Sequence, residues 1–204
     1  MLSAGLLLLA TGLSVQAQEL PTRIREAGGE VAFHFALRRD VEVCDDGIVL
    51  RGQRMRWHWR GDGGASRCST GLAEVVLSVR DGRVVSVELE PWEGEGSTPA
   101  GTVDLGRVGA AEGASFLVSL ARAGRDEDEA ARSAMAAAMV ADSARVAPAL
   151  LEVARDRKVS GDVRTTAVFW LGQAAGEAVT EGLGELARTE DEEQEIRDAA
   201  VFAL

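Results

Sequence analysis

The sequence contains no tyrosine, a single lysine (Lys158), two cysteines and two histidines in 204 residues. With Cys44, Cys68, His34 and His58 as its only soft ligands, it has little from which to build a structural zinc or iron–sulfur centre. Catalytic signatures are missing too. There is no G-x-S-x-G, no Walker loop, no H-E-x-x-H and no G-x-G-x-x-G opening a helix. Ser69, Thr70 and His58 lack a recognisable third partner for a triad. Positive charge is also short. The 22 Lys+Arg against 33 Asp+Glu give a formal net charge of −11. That excludes a sequence-independent nucleic-acid binder, which needs a basic footprint. No cofactor and no metal are therefore expected. No apolar run reaches the ~20 residues of a membrane span.

The longest apolar run has another use. Residues 3–15 are uncharged and Leu-rich, and Val15-Gln16-Ala17 then places small residues at the −3 and −1 positions of a cleavage site. This is the pattern of a secretory signal peptide over residues 1–17, with Gln18 as the mature start and no membrane span after cleavage. No Lys or Arg precedes the run, so an uncleaved anchor or a buried helix stays open. A secreted or periplasmic bacterial protein is the expectation. In an oxidising compartment an even cysteine count implies a Cys44–Cys68 disulfide, with Cα atoms ~4.4–6.8 Å apart. A two-ligand metal site and a redox pair are the alternatives, but no C-x-x-C supports them.

Residues 18–92 read as a small antiparallel β-domain of four to six strands. Val31, Phe33, Phe35 and Leu37 alternate with Ala32, His34 and Ala36. Leu72–Arg80 and Arg83–Glu90 flank Asp81-Gly82, a strong two-residue hairpin signal. Val75, Leu77 and Val79 are expected to share a buried face with Val85, Val87 and Leu89. The stretch Arg51–Arg60 interleaves Arg54, Arg56, His58 and Arg60 with Trp57 and Trp59. A stacking platform needs aromatics and cations on one face, whereas period 2 separates them, so a strand with its Trp residues in the core is preferred.

Residues 93–103 are Gly-rich and polar and read as a linker. Beyond them, over 104–204, the chain becomes Ala-rich with helical periodicity and repeats every 33 residues. Asp162-Val163-Arg164 recurs as Glu195-Ile196-Arg197, and Ala167-Val168-Phe169 recurs as Ala200-Val201-Phe202. Leu117, Leu120 and Ala121 match Leu150, Val153 and Ala154, then Leu183, Leu186 and Ala187. Each unit reads as a helix pair, as in 162–173, the turn Ala174–Glu177, and 178–189. Such pairs must stack to bury their apolar stripes, and the last repeat is incomplete at Leu204.

Asp162-Val163-Arg164…Ala167-Val168…Leu171-Gly172, followed by a Gly-containing turn and Val179…Leu183…Leu186, resembles the HEAT-repeat family, especially its short phycobilisome-lyase HEAT-like class. The resemblance covers about half the chain. It implies an α–α superhelix whose acidic and Arg residues at helix starts link adjacent repeats, which would make Arg164 and Arg197 structural. The lyase chemistry does not transfer, because no spare thiol or basic bilin pocket is present. The fold class expected is thus α+β in two parts, a disulfide-clipped antiparallel β-domain followed by a HEAT-like solenoid.

Net charge is −3 over 18–100 and −8 over 101–204, so the helical half is the acidic one. The runs Asp126–Glu129 and Glu190–Glu193 lack calcium-loop spacing and precede helix starts, where carboxylates favour the dipole. Glu177, Glu181 and Glu185 lie four apart on one helix face, and Glu152 aligns with Glu185 one repeat earlier. They read either as a solvated surface or as an acidic face for a basic protein partner. The leading function is a non-catalytic, secreted protein–protein interaction or scaffold module. The alternative is an enzyme or enzyme subunit whose active site lies in the β-domain or in sequence beyond Leu204.

Overall fold

Leu20 and Ile24 stand one helical turn apart, Pro21 sits in the first turn, and Gly28 ends the segment at φ 59°. These features make α1 (Leu20–Ala27), a short helix inside the region read as wholly β. In β1 (Gly29–Ala36), Val31, Phe33 and Phe35 are buried on one face. β1 pairs antiparallel with β6 (Leu72–Arg80), which pairs with β7 (Arg83–Pro91). The computed structural model describes residues 19–51, 55–58, 67–96, 98–143, 145–174 and 177–204, with backbone alone for 55–58 and 177. Residues 1–17, read above as a signal peptide, and Arg54, Trp59 and Arg60 lie outside the described residues, as do the side chains of Trp57 and His58.

The β6–β7 hairpin forms on its two-residue turn. Arg80 pairs with Arg83, and Asp81 and Gly82 both have positive φ (52° and 71°), as a type I′ turn requires. One expectation fails here. Val79 pairs with Val84 and Ser78 with Ser86, so Val85 is the extra residue of a bulge and is 47% exposed. Val87 and Leu89 keep the buried face opposite Leu77 and Val75.

Between β1 and β6 the chain builds a second sheet from β2 (Val41–Cys44), β3 (Gly47–Leu50), β4 (Met55–His58) and β5 (Cys68–Ser69), in the order β4-β3-β2-β5. The excursion closes where it began, with the Leu37 N–H donating to the Gly71 carbonyl at 2.9 Å. Among the described residues, the region expected to hold four to six strands carries seven, and with an eighth beyond it they form two four-stranded sheets. The eighth, β8 (Val103–Arg107), falls at the junction expected to carry the linker's end and the first helical residues. It runs parallel to β1, so that sheet is not wholly antiparallel. Asp104 accepts from the Gly106 N–H at 2.7 Å, and Arg23 of α1 donates to the Leu105 carbonyl at 2.6 Å. These bonds hold extended a segment with little alternation of its own.

Six helices follow among the described residues: α2 (Ala110–Arg122), α3 (Glu129–Val140), α4 (Val146–Arg155), α5 (Gly161–Gly172), α6 (Glu177–Arg188) and α7 (Gln194–Ala203). Asp128 and Ser160 cap α3 and α5 by accepting the N–H groups of Ala131 and Val163. α2, α4 and α6 contact one another in sequence as one layer, and α3, α5 and α7 as another. Across the layers α2 packs on α3, α4 on α5, and α6 on α7. α5 touches α6 far less than α4, so the pair expected across 174–177 is out of phase with the observed packing. A period alone cannot say which of its two turns closes the pair. α2 lies on the sheet face formed by Phe33 and Phe35, where Gly113 permits the approach. α3 lies along β7. The chain is mixed α/β with one contiguous core running from Leu20 to Ala200.

Candidate functional site

β7 is the end strand of its sheet, with β6 as its only strand neighbour among the described residues. A cleft of about 750 Å³ opens beside it, within the range of small-ligand and peptide pockets. Six consecutive residues, Val85 to Glu90, line one wall. Side chains of a strand alternate between faces, so a wall of consecutive residues means that the cleft runs along the strand's edge. α3 supplies Glu129, Arg132, Ser133 and Ala136. α5 supplies Thr165, Phe169 and Trp170, the rings of the last two meeting edge-on at 5.2 Å.

The cleft is acidic. Arg132 is matched by Asp162 at 3.0 Å, so its charge is answered within the wall. Glu88 and Glu129 are exposed and have no ion pair among the described residues. One polar atom is stranded. The Thr165 hydroxyl is buried in the cleft wall without a hydrogen-bond partner. An unmade bond of this kind costs about 1–3 kcal/mol, whereas an apolar replacement of the same shape is near neutral. Thr165→Val is therefore expected to hold or raise stability, by up to about 1 kcal/mol, in a urea melt. A loss above that size would show that the hydroxyl is satisfied.

Cys44 and Cys68 are bonded, with Cα atoms 4.0 Å apart. That is just below the expected range, because they face each other directly on β2 and β5. Glu42 lies beside the two sulfurs, but these are joined to each other and are not free thiolates for a metal. Arg67 braces the bridge. Its guanidinium donates to both Asp45 carboxylate oxygens at 2.9 and 3.1 Å and to Glu93 at 2.9 Å. The Arg67 side-chain hydrogen bond outweighs the opposing burial and holds the Asp45 carboxyl below its ordinary value.

The sequence-derived acidic face maps onto one layer. Glu152 on α4 and Glu181 and Glu185 on α6 are all exposed, and α4 and α6 are neighbours. The face is not purely acidic, because Arg155 pairs with Glu185. The Glu177 side chain lies outside the described residues. Further ion pairs join each stretch to the next, Arg122–Asp156 at 3.5 Å and Arg157–Asp191 at 3.0 Å among them.

Arg164 is the exception to this surface pattern, being 0% exposed. It donates Nε to the Ala154 carbonyl at 2.8 Å, Nη2 to Glu192 at 2.6 Å and Nη1 to Glu193 at 3.2 Å. It thereby joins the end of α4, α5 and the α6–α7 turn. Burial opposes the charge on Glu192. The Arg164 hydrogen bond, the Glu193 backbone N–H and the charges of Arg164 and Arg157 outweigh that burial and hold the carboxyl below its ordinary value.

No protein-family model, no curated protein and no solved structure matches this chain.

Sequence reasoning missed the cleft altogether, since residues 85–90, 129–136 and 165–170 meet only in three dimensions. One signal was present. A hairpin strand followed by a Gly-rich linker is a natural sheet edge. Arg164 also carried a signal, because it stands at i, i+4 and i+7 with Val168 and Leu171 on the buried stripe.

Proposed function

We propose that this chain is a non-catalytic, secreted or periplasmic interaction module whose HEAT-like helix pairs and β-sheets together bind a protein partner. The observation that carries the reading is the open acidic cleft between β7 and the α3–α5 wall. It has an apolar floor, unanswered carboxylates and a stranded hydroxyl. Such a combination suits recognition of a polypeptide segment. The Cys44–Cys68 bridge supports an oxidising compartment, and no helix among the described residues is long and apolar enough to cross a membrane.

Selection of displayed random peptides against the whole chain tests this. Enriched peptides are expected to lose binding when Ser133→Trp fills the cleft, with a thermal melt confirming that the variant folds. Failure to enrich, or peptides indifferent to Ser133→Trp, would overturn the reading.

The acidic face of α4 and α6 would then act at a distance, raising the encounter rate of a basic partner. Replacing Glu177, Glu181 and Glu185 with Gln is expected to leave stability within about ±0.5 kcal/mol. It should slow association with a basic selected peptide, most at low salt, without changing dissociation. Glu185 contributes least, since Arg155 already answers it. An unchanged association rate at low salt would remove the face from the mechanism.

A further inference from the structure

We propose that the outer edge of β7 is a strand-docking site, where an extended segment of the partner, carrying a basic residue among apolar ones, adds as a further strand of the sheet. The inference rests on the interaction reading above and specifies its mode.

The register shows which backbone groups are on offer. In an antiparallel pair, residues alternate between positions bonded to the neighbouring strand and positions whose N–H and C=O point away. Pro91 opposes Ala73 and has no N–H, which suits a position not bonded to β6. Counting back by twos, Leu89 and Val87 share that phase. The turn end agrees. Arg80 and Arg83 close the two-residue turn as a bonded pair, and the one-residue bulge at Val85 then places Ser86, Glu88 and Glu90 in the bonded phase. Val87 and Leu89 therefore direct their N–H and C=O groups away from β6, along the wall of the cleft. No backbone partner for them exists among the described residues.

Natural sheet edges are guarded by bulges, prolines and charges. β7 is guarded at both ends, by the bulge at Val85 and by Pro91, but the stretch between them is regular. At ~3.3 Å per residue that stretch accepts about five residues of extended chain. A docked strand sends alternate side chains to opposite faces. One set would meet Ala136 and the Phe169–Trp170 wall, and the other would pass the rim. The rim sets the partner's charge. Asp162 answers Arg132, while Glu88 and Glu129 have no counterion among the described residues, so the cleft favours a lysine or arginine.

The test uses the peptides selected against the whole chain, together with versions N-methylated at alternate backbone nitrogens. The expected peptides alternate apolar and basic residues. N-methylation in one phase should weaken binding by at least about tenfold, and in the other phase hardly at all. Bound peptide should slow amide exchange at Val87 and Leu89, and Glu88→Lys with Glu129→Lys should weaken binding while the variant melts normally. Peptides that need the cleft but tolerate N-methylation in both phases, and leave those two amides unprotected, would overturn strand docking while leaving the interaction reading intact. Absence of any cleft-dependent peptide would overturn both.

Discussion

Replacing Arg164 with methionine is expected to destabilise the chain by about 3–5 kcal/mol, a large share of the 5–15 kcal/mol typical of a domain. The cost arises from what is left behind. Glu192 has a side chain only 4% exposed, and its remaining cation, Arg157, stands at 3.9 Å. The Ala154 carbonyl also loses its donor. Arg164→Met with Glu192→Leu should recover much of the loss, because two matched apolar groups leave no charge stranded. Urea melts of the two single variants and the double variant measure this directly, and a single-variant loss below about 1 kcal/mol would refute it.

The pH dependence sharpens the test. In the native chain the Glu192 carboxyl is held below its ordinary value of 4.5. Its contribution is therefore present above that value and fades as pH falls through the lower folded value. In Arg164→Met, burial remains while the main stabilising partner is gone, so the charged carboxylate costs stability at neutral pH and protonation relieves it. The gap between native and variant should begin to narrow above the ordinary value, as the variant's stranded carboxyl takes up its proton, and go on narrowing below it as the native carboxylate is protonated. A gap of constant size would mean that Glu192 is not the group left stranded.

Cys44→Ser with Cys68→Ser, or reduction of the native bond, is expected to cost about 3 kcal/mol for a loop of this length. The loss should be local. Val43 and Ile48 in the second sheet are expected to exchange their amides faster, while Val163 and Ala167 of α5 stay protected. The Arg67 clamp on Asp45 and Glu93 does not involve the sulfurs and is expected to remain after reduction. Two alkylatable thiols in native, aerobically purified protein would contradict the bond itself.

What could be read in advance follows the range of the interactions involved. The turn at Asp81-Gly82 and the burial of Val163, Ala167, Val168 and Leu171 depend on neighbours within a few residues, and the chain spells them out. The bulge at Val85 does not announce itself, because Val84, Val85 and Val87 are interchangeable in a pattern of hydrophobicity. α1 is legible only in hindsight, since eight residues with two apolar contacts offer little periodicity. β8 owes its conformation to β1 and to Arg23, which are distant in the chain. The cleft is further still from sequence, its walls drawn from three elements. The acidic spacing of Glu152, Glu181 and Glu185 was visible, but the Arg155 that answers one of them was not.

The nesting of Cys44–Cys68 inside the Ala36–Leu72 pairing bears on how fast the chain finds its fold. β1 and β6 must meet across a long excursion, and that search is slow because its entropy is spent before any contact repays it. Once the two sulfurs are joined, the route from Ala36 to Leu72 through the bridge is only about a third as long, which lowers the closure cost by just under about 1 kcal/mol. The oxidised chain should therefore bring β1 onto β6 roughly fivefold faster than the reduced chain. The bridge is then a kinetic shortcut, placed where the longest-range antiparallel pairing of the first sheet has to nucleate.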